Sequence, residues 1–298
     1  MSDGAVSRGD LVIIGGAEDK LGHRTILQQF IELAGGSSSR IAILATASSH
    51  GDSIIDVYWS LFTGLGAAEV TGLRPMSRAE ANDEAAAAVL DGVTGIFMTG
   101  GNQSRLTSVV AGTALGRKLL EANRSGVVVG GTSAGASAVS SHMVAFGASG
   151  DVPKQRMGRL SAGLGLLPNV MIDQHFGKRN RIGRLLSLVS HSPSLLGIGL
   201  DEDTAVVVDA DDVLEVLGSG VALIVDGSHI ESNAFRAKRY DPLMVSGAIL
   251  HALPEGSRFD LRSRLLVSAP PEDADERKRA QRLAADGEDR IEGQLRRT

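Results

Sequence analysis

Val127-Val128-Val129-Gly130-Gly131-Thr132-Ser133-Ala134-Gly135-Ala136 is an apolar run that stops at paired glycines and a serine. Three valines in succession suit a buried strand, and the glycines permit a turn that side chains would obstruct. Residues 136–139 can then open a helix. Gly131-Thr132-Ser133-Ala134-Gly135 has the form G-x-S-x-G. In that context a serine sits in a strained strand-to-helix turn, its hydroxyl exposed at the carboxyl end of the strand. The helix start behind it leaves free N–H groups near any oxyanion that develops. The bland alternative is a glycine-rich turn whose serine caps the helix. The strand before and the helix after favour a nucleophile.

The same alternation runs upstream. Leu11–Ile14 reads as a buried strand ending at Gly15-Gly16, and Ile26, Leu27, Phe30, Leu33 and Ala34 then recur at helical spacing. Residues 41–44, 67–73 and 95–99 continue the strands, with helical stretches between them. This pattern predicts an α/β fold, a mainly parallel sheet flanked by helices, with ligands bound beyond the carboxyl ends of the strands. After Leu200 the pattern changes. Residues 204–208, 213–217 and 222–225 are closely spaced around acidic or glycine turns, and predict an antiparallel meander attached to the parallel sheet. Residues 1–268 are expected to form a single α/β domain that works as a serine hydrolase. Residues 269–298 begin with Ala269-Pro270-Pro271, turn almost wholly charged, and predict a solvated tail or helix.

At 298 residues and 43% hydrophobic content, the chain can bury a large core. A net charge of −5 with no basic stripe argues against a nucleic-acid partner. The polar start and the shortness of every apolar run predict no signal peptide and no membrane span, hence a cytoplasmic protein. Cysteine is absent, which removes disulfides, thiolate metal sites and a cysteine nucleophile. No cofactor and no metal is expected.

A serine nucleophile needs a base. His175 closes Val170-Met171-Ile172-Asp173-Gln174-His175, an apolar run ending in polar groups, where a partner of Ser133 should lie. The third member must be a carboxylate that orients the imidazole. Glu202, after the apolar run 195–200, is preferred, with Asp151 in Ser149-Gly150-Asp151 as the alternative acid. For the oxyanion hole, the Ala134 N–H is one donor. Gly101, in Thr99-Gly100-Gly101-Asn102-Gln103, is the candidate for the second. Lys178-Arg179-Asn180-Arg181 and Arg184 follow His175 closely. Such a run is usually a solvated face, but beside an active site it suggests a carboxylate clamp. Arg179, Arg181 and Arg184 cannot share one helix face, so at least one acts from the turn before the helix or points away.

Taken together, Ile14-Gly15-Gly16-Ala17-Glu18-Asp19-Lys20, Thr99-Gly100-Gly101-Asn102-Gln103, the serine motif and Asp173-Gln174-His175-Phe176 resemble the cyanophycinase family. These are serine peptidases related to aspartyl dipeptidases, with a class I glutamine amidotransferase-like fold. The resemblance runs from about residue 10 to about residue 268. It implies hydrolysis of cyanophycin, a poly-aspartate carrying arginine on each side-chain carboxyl, to β-aspartyl-arginine dipeptides. It places the nucleophile on Ser133, the base on His175, the acid on Glu202 or Asp151, and substrate-binding residues on Gln103, Asp173, Gln174, Arg179, Arg181 and Arg184. A homodimer is plausible on the same ground. The competing readings are a dipeptidase acting on short aspartyl or isoaspartyl peptides, and a non-catalytic binding or amidotransferase-like module. The missing cysteine counts against a working amidotransferase.

Overall fold

The structure, a computed structural model, describes residues 7–270. The expected tail from residue 271 onward lies outside them. Five strands form the parallel part of a nine-stranded sheet: β1 (Leu11–Ile14), β2 (Arg40–Leu44), β3 (Glu69–Leu73), β4 (Gly95–Met98) and β5 (Val128–Thr132). They are followed by the β6 (His142–Gly147) and β7 (Gly158–Ala162) hairpin, then β8 (Val170–Asp173) and β9 (Leu196–Leu200). The C-terminal part holds β10 (Thr204–Val208), β11 (Val213–Gly218), β12 (Val221–Asp226), the two-residue strands β13 (Glu231–Ser232) and β14 (Val245–Ser246), β15 (Ile249–Pro254), β16 (Arg258–Asp260) and β17 (Leu265–Ser268). The large sheet runs β17-β16-β11-β10-β1-β5-β4-β2-β3. Its β1-to-β3 side is parallel, and β10, β11, β16 and β17 extend it antiparallel.

The continuous apolar strands follow from burial on both faces. Leu11 and Ile13 of β1 enter one core layer, and Val12 and Ile14 enter the other. The second layer centres on Phe30, Tyr58, Phe62 and Phe97, with ring centroids 4.8–5.8 Å apart. Helices Thr25–Leu33 and Ser53–Gly64 supply three of those rings.

Two expectations change. The strand at the serine does not stop at Val129. It runs through the glycines to Thr132, because Gly130, Gly131 and Thr132 register against Val12, Ile13 and Ile14. The following helix, Ala134–Val139, starts at once. It lies so close over the strand that a Cβ on Gly131 would sit 2.6 Å from the Gly135 carbonyl carbon, so glycine is required there.

The meander is also only two strands long. β10 and β11 pair as expected, but β12 leaves for a second sheet, β15-β12-β9-β8. The far edge of β11 is taken by β16, and Ala222 and Ile224 of β12 are fully buried beside β9. Residues of both sheets share one hydrophobic layer, from Leu11 and Val129 to Ile172, Ile198 and Ile224. The ends of β5, β8 and β9 are thereby tied into one core.

Candidate active site

Ser133 has φ 50° and ψ −103°, a backbone conformation few non-glycine residues adopt, and its N–H donates to the Ile14 carbonyl at 3.0 Å. Its Oγ lies 2.9 Å from His175 Nε2, and His175 Nδ1 lies 2.8 Å from Glu202 Oε1. An ionised carboxylate only accepts, so Nδ1 carries the ring proton and Nε2 accepts from the serine hydroxyl. His175, itself at φ 49°, donates its N–H to the Gly15 carbonyl at 2.8 Å. Its ring rests on Gly16, where a Cβ would come within 2.3 Å of Cε1. Burial pushes the His175 pKa below the ordinary histidine value, outweighing the hydrogen bond that the ring donates to Glu202, which raises it; the positive charge of Arg179 adds to the depression. The neutral, proton-accepting ring therefore persists to lower pH.

Both ring nitrogens of His175 are engaged by Ser133 and Glu202, which leaves none for Asp151. Asp151 lies instead on the wall of a neighbouring cavity. Among the other histidines, His191 hydrogen-bonds Gln155 and His251 packs against Phe259.

A pocket of about 230 Å³ adjoins Ser133. Gly101, Gln103, Asp173, Gln174, Arg179, Arg181 and Arg184 all line it. Ala134, fully buried, is the first residue of its helix, where the N–H has no intrahelical acceptor. Gln103 donates its side-chain N–H groups to the Val144 and Ala145 carbonyls, tying helix Gln103–Val110 to β6.

The arginines divide as their spacing requires. Arg179 and Arg181 precede helix Ile182–His191, and Arg184 lies in its first turn. Arg181 and Arg184 are buried and both grip Asp173, Arg184 by Nε and Nη2 and Arg181 by Nη1. Arg181 also reaches the Gln174 backbone and side-chain oxygens. Burial brings the Arg181 pKa down to about 10, so the group stays charged at neutral pH. Asp173 is thus saturated by two arginines of its own chain, and its charge is already committed. Two guanidiniums against one carboxylate leave a net positive charge at the pocket wall. Arg179 stays exposed at the rim.

One cluster went unread in the sequence. Glu18, almost wholly buried, accepts from Thr132 Oγ1 at 2.6 Å and Tyr58 Oη at 2.5 Å and pairs with Lys20 at 2.7 Å. Its carboxylate anchors Thr132, the residue before Ser133. An acid just after a strand's Gly-Gly turn was the available signal, since such a residue is buried only when paired. Among the described residues, no cluster of three or more His, Asp or Glu side chains could hold a metal ion, and no helix is long and apolar enough to cross a membrane.

The model of peptidase family S51 matches residues 11–216. The chain belongs to that family. Its members are peptidases, and this chain is one. It is similar to "Cyanophycinase" of Geminocystis herdmanii, 40% identical over 258 residues covering 86% of this chain and 95% of that one. A protein of the same name from Trichormus variabilis is 40% identical over 261 residues, 87% and 88% of the two chains. Among solved structures, a peptidase from an acI-B1 Actinobacterium superposes with a TM-score of 0.58 at 22% identity, covering 83% of this chain and 98% of that one. A putative peptidase E from Listeria monocytogenes gives 0.50 at 16% identity, covering 72% and 100%. At those identities the two structures speak for the fold alone.

Proposed function

We propose that this S51 peptidase degrades cyanophycin to β-aspartyl-arginine dipeptides through an acyl-enzyme on Ser133. The observation that carries the substrate is the 40% identity to proteins named cyanophycinase across more than four-fifths of the chain. The product keeps its aspartyl–arginine link, so the bond broken is the main-chain amide between consecutive aspartates.

His175 takes the Ser133 hydroxyl proton on Nε2 as Oγ attacks that carbonyl, and Glu202 stabilises the imidazolium that results. The oxyanion lies against the Ala134 and Gly101 N–H groups. His175 then hands the proton to the leaving amine. Water, deprotonated by the same ring, releases the aspartyl product and restores Ser133. The net positive charge of the Asp173–Arg181–Arg184 trio and the exposed Arg179 suits the free α-carboxylate that each repeat carries on its arginine.

Incubation with insoluble cyanophycin, followed by mass analysis of the soluble products, tests the reading. β-Aspartyl-arginine is expected. Turnover of short isoaspartyl peptides with the polymer untouched would replace it with the dipeptidase reading.

A further inference from the structure

Beside the catalytic pocket lies a wider open cavity of about 1450 Å³, and Phe146 and Gly147 line both. That volume exceeds the roughly 300–1000 Å³ usual for a small-ligand pocket. One wall is the β6–β7 hairpin with its connecting loop, and the other is the segment 233–243. The two walls are built together. Gln155, itself buried, donates its side-chain N–H groups to the Ala234 and Ala237 carbonyls and binds His191 Nε2 through Oε1 at 2.6 Å. Backbone bonds from Gln155 to Asp241, Tyr240 to Gln155 and Leu243 to Pro153, at 2.8–3.3 Å, stitch the same seam.

The hairpin wall also hangs on the arginine turn of the active site. Arg184 donates to the Gly147 carbonyl at 3.0 Å, Gly150 donates to the Asn180 carbonyl at 2.7 Å, and Gly183 donates to the Gly150 carbonyl at 2.9 Å. The cavity therefore adjoins the catalytic pocket, with Phe146 and Gly147 between them.

Its lining has an uncommon chemistry. Phe146, Phe235 and Tyr240 are 61%, 79% and 60% exposed, so three rings stand in solvent on one surface. A guanidinium lies over each: Arg159 at 5.6 Å from the Phe146 centroid, Arg236 at 4.7 Å from Phe235, and Arg239 at 4.7 Å from Tyr240. Four of the lining residues are Lys or Arg, against the single acid Asp151. Rings take planar cations on their faces, and fixed guanidiniums take carboxylates. The matching ligand is a chain that offers free carboxylates and guanidiniums at short, regular intervals.

We propose that this groove holds the repeats of the arginyl-poly-aspartate chain that extend beyond the scissile bond, Arg159 and Arg239 binding their carboxylates and the three rings stacking their guanidiniums. The proposal rests on the cyanophycin reading of the active site. It assigns the groove to the length of the substrate and leaves the chemistry to Ser133.

The test uses two substrates: insoluble polymer, and the two-repeat oligomer, the shortest with one scissile main-chain amide. Two surface variants, Phe235→Ser/Tyr240→Ser and Arg159→Glu/Arg239→Glu, are compared with the wild type after thermal melting shows both folded. The expected result is a fall in kcat/KM on the polymer of about tenfold or more, the effect of losing a charge-assisted contact, with the two-repeat oligomer unchanged. Retention of Ser133→Ala protein on polymer granules should drop by the same substitutions. Unchanged rates on both substrates, or equal losses on both, overturn the proposal. So does a variant that lowers the sedimentation coefficient relative to the wild type while polymer turnover stays intact, which makes the face a contact between copies of this chain. Failure of the substrate reading looks different: the wild type releases dipeptide from neither substrate, and both proposals fall.

Discussion

The serine turn after β5 and the arginine turn after β8 line one pocket, yet different forces hold them. Ser133 is kept at positive φ by short-range geometry: a strand paired to Ile14, a glycine under the next helix, and an immediate helix start. Arg181 and Arg184 are kept by charge, buried around the one carboxylate of Asp173. A strained turn announces itself in five consecutive letters. A charge cluster does not say whether it faces water, substrate or its own chain.

The largest effect should come from the strained turn. Ser133→Ala is expected to lower kcat on the order of a million-fold while leaving the melting temperature near that of the wild type. Near-normal turnover in the folded variant would reduce the turn to a helix start. The relay behind it comes next. Glu202→Gln should cost on the order of ten-thousand-fold in kcat by losing the correct imidazole orientation. Asp151→Asn should leave turnover of the two-repeat oligomer unchanged. If only the Asp151 variant collapses on that oligomer, the hydrogen-bonded pair His175–Glu202 is not the working one.

The arginine turn should answer in stability first. Asp173→Ala leaves two buried guanidiniums facing one another, and is expected to destabilise the fold by about 3–5 kcal/mol, read as a shifted urea midpoint. A midpoint that does not move would mean that Asp173 is spare, and could serve substrate after all. The smallest effect belongs to the exposed member. Arg179→Ala should lower kcat/KM by about tenfold to a hundredfold if it holds a carboxylate. It should also shift the pH profile. Arg179 is one of the charges that depress the His175 pKa, so its removal lets that pKa rise. The acid limb of kcat/KM then moves toward higher pH. An acid limb that stays put would separate Arg179 electrostatically from the base.

The parallel sheet, Ser133, and the stretch holding His175 were legible because each is written in neighbouring residues. Periods of two and 3.6, a Gly-Gly turn and an apolar run ending in polar groups are all local signals. The departure of β12 was not legible, since it depended on β16, some forty residues later, occupying the edge of β11. Nor was the commitment of Asp173, which differs from a solvent-facing acid only once helix Ile182–His191 turns Arg184 onto it. Glu202 could be preferred over Asp151 from its place after a strand, but contact with His175 spans 27 residues, and the Glu18–Thr132 bond spans 114. By itself the sequence determined the elements, the strained turn at Ser133 and the residue types around it, because strain and hydrophobic period act within a turn or two of chain. Which charges meet was left to the tertiary structure, because burial strengthens only those pairs that the packing of distant strand ends brings within a few ångströms.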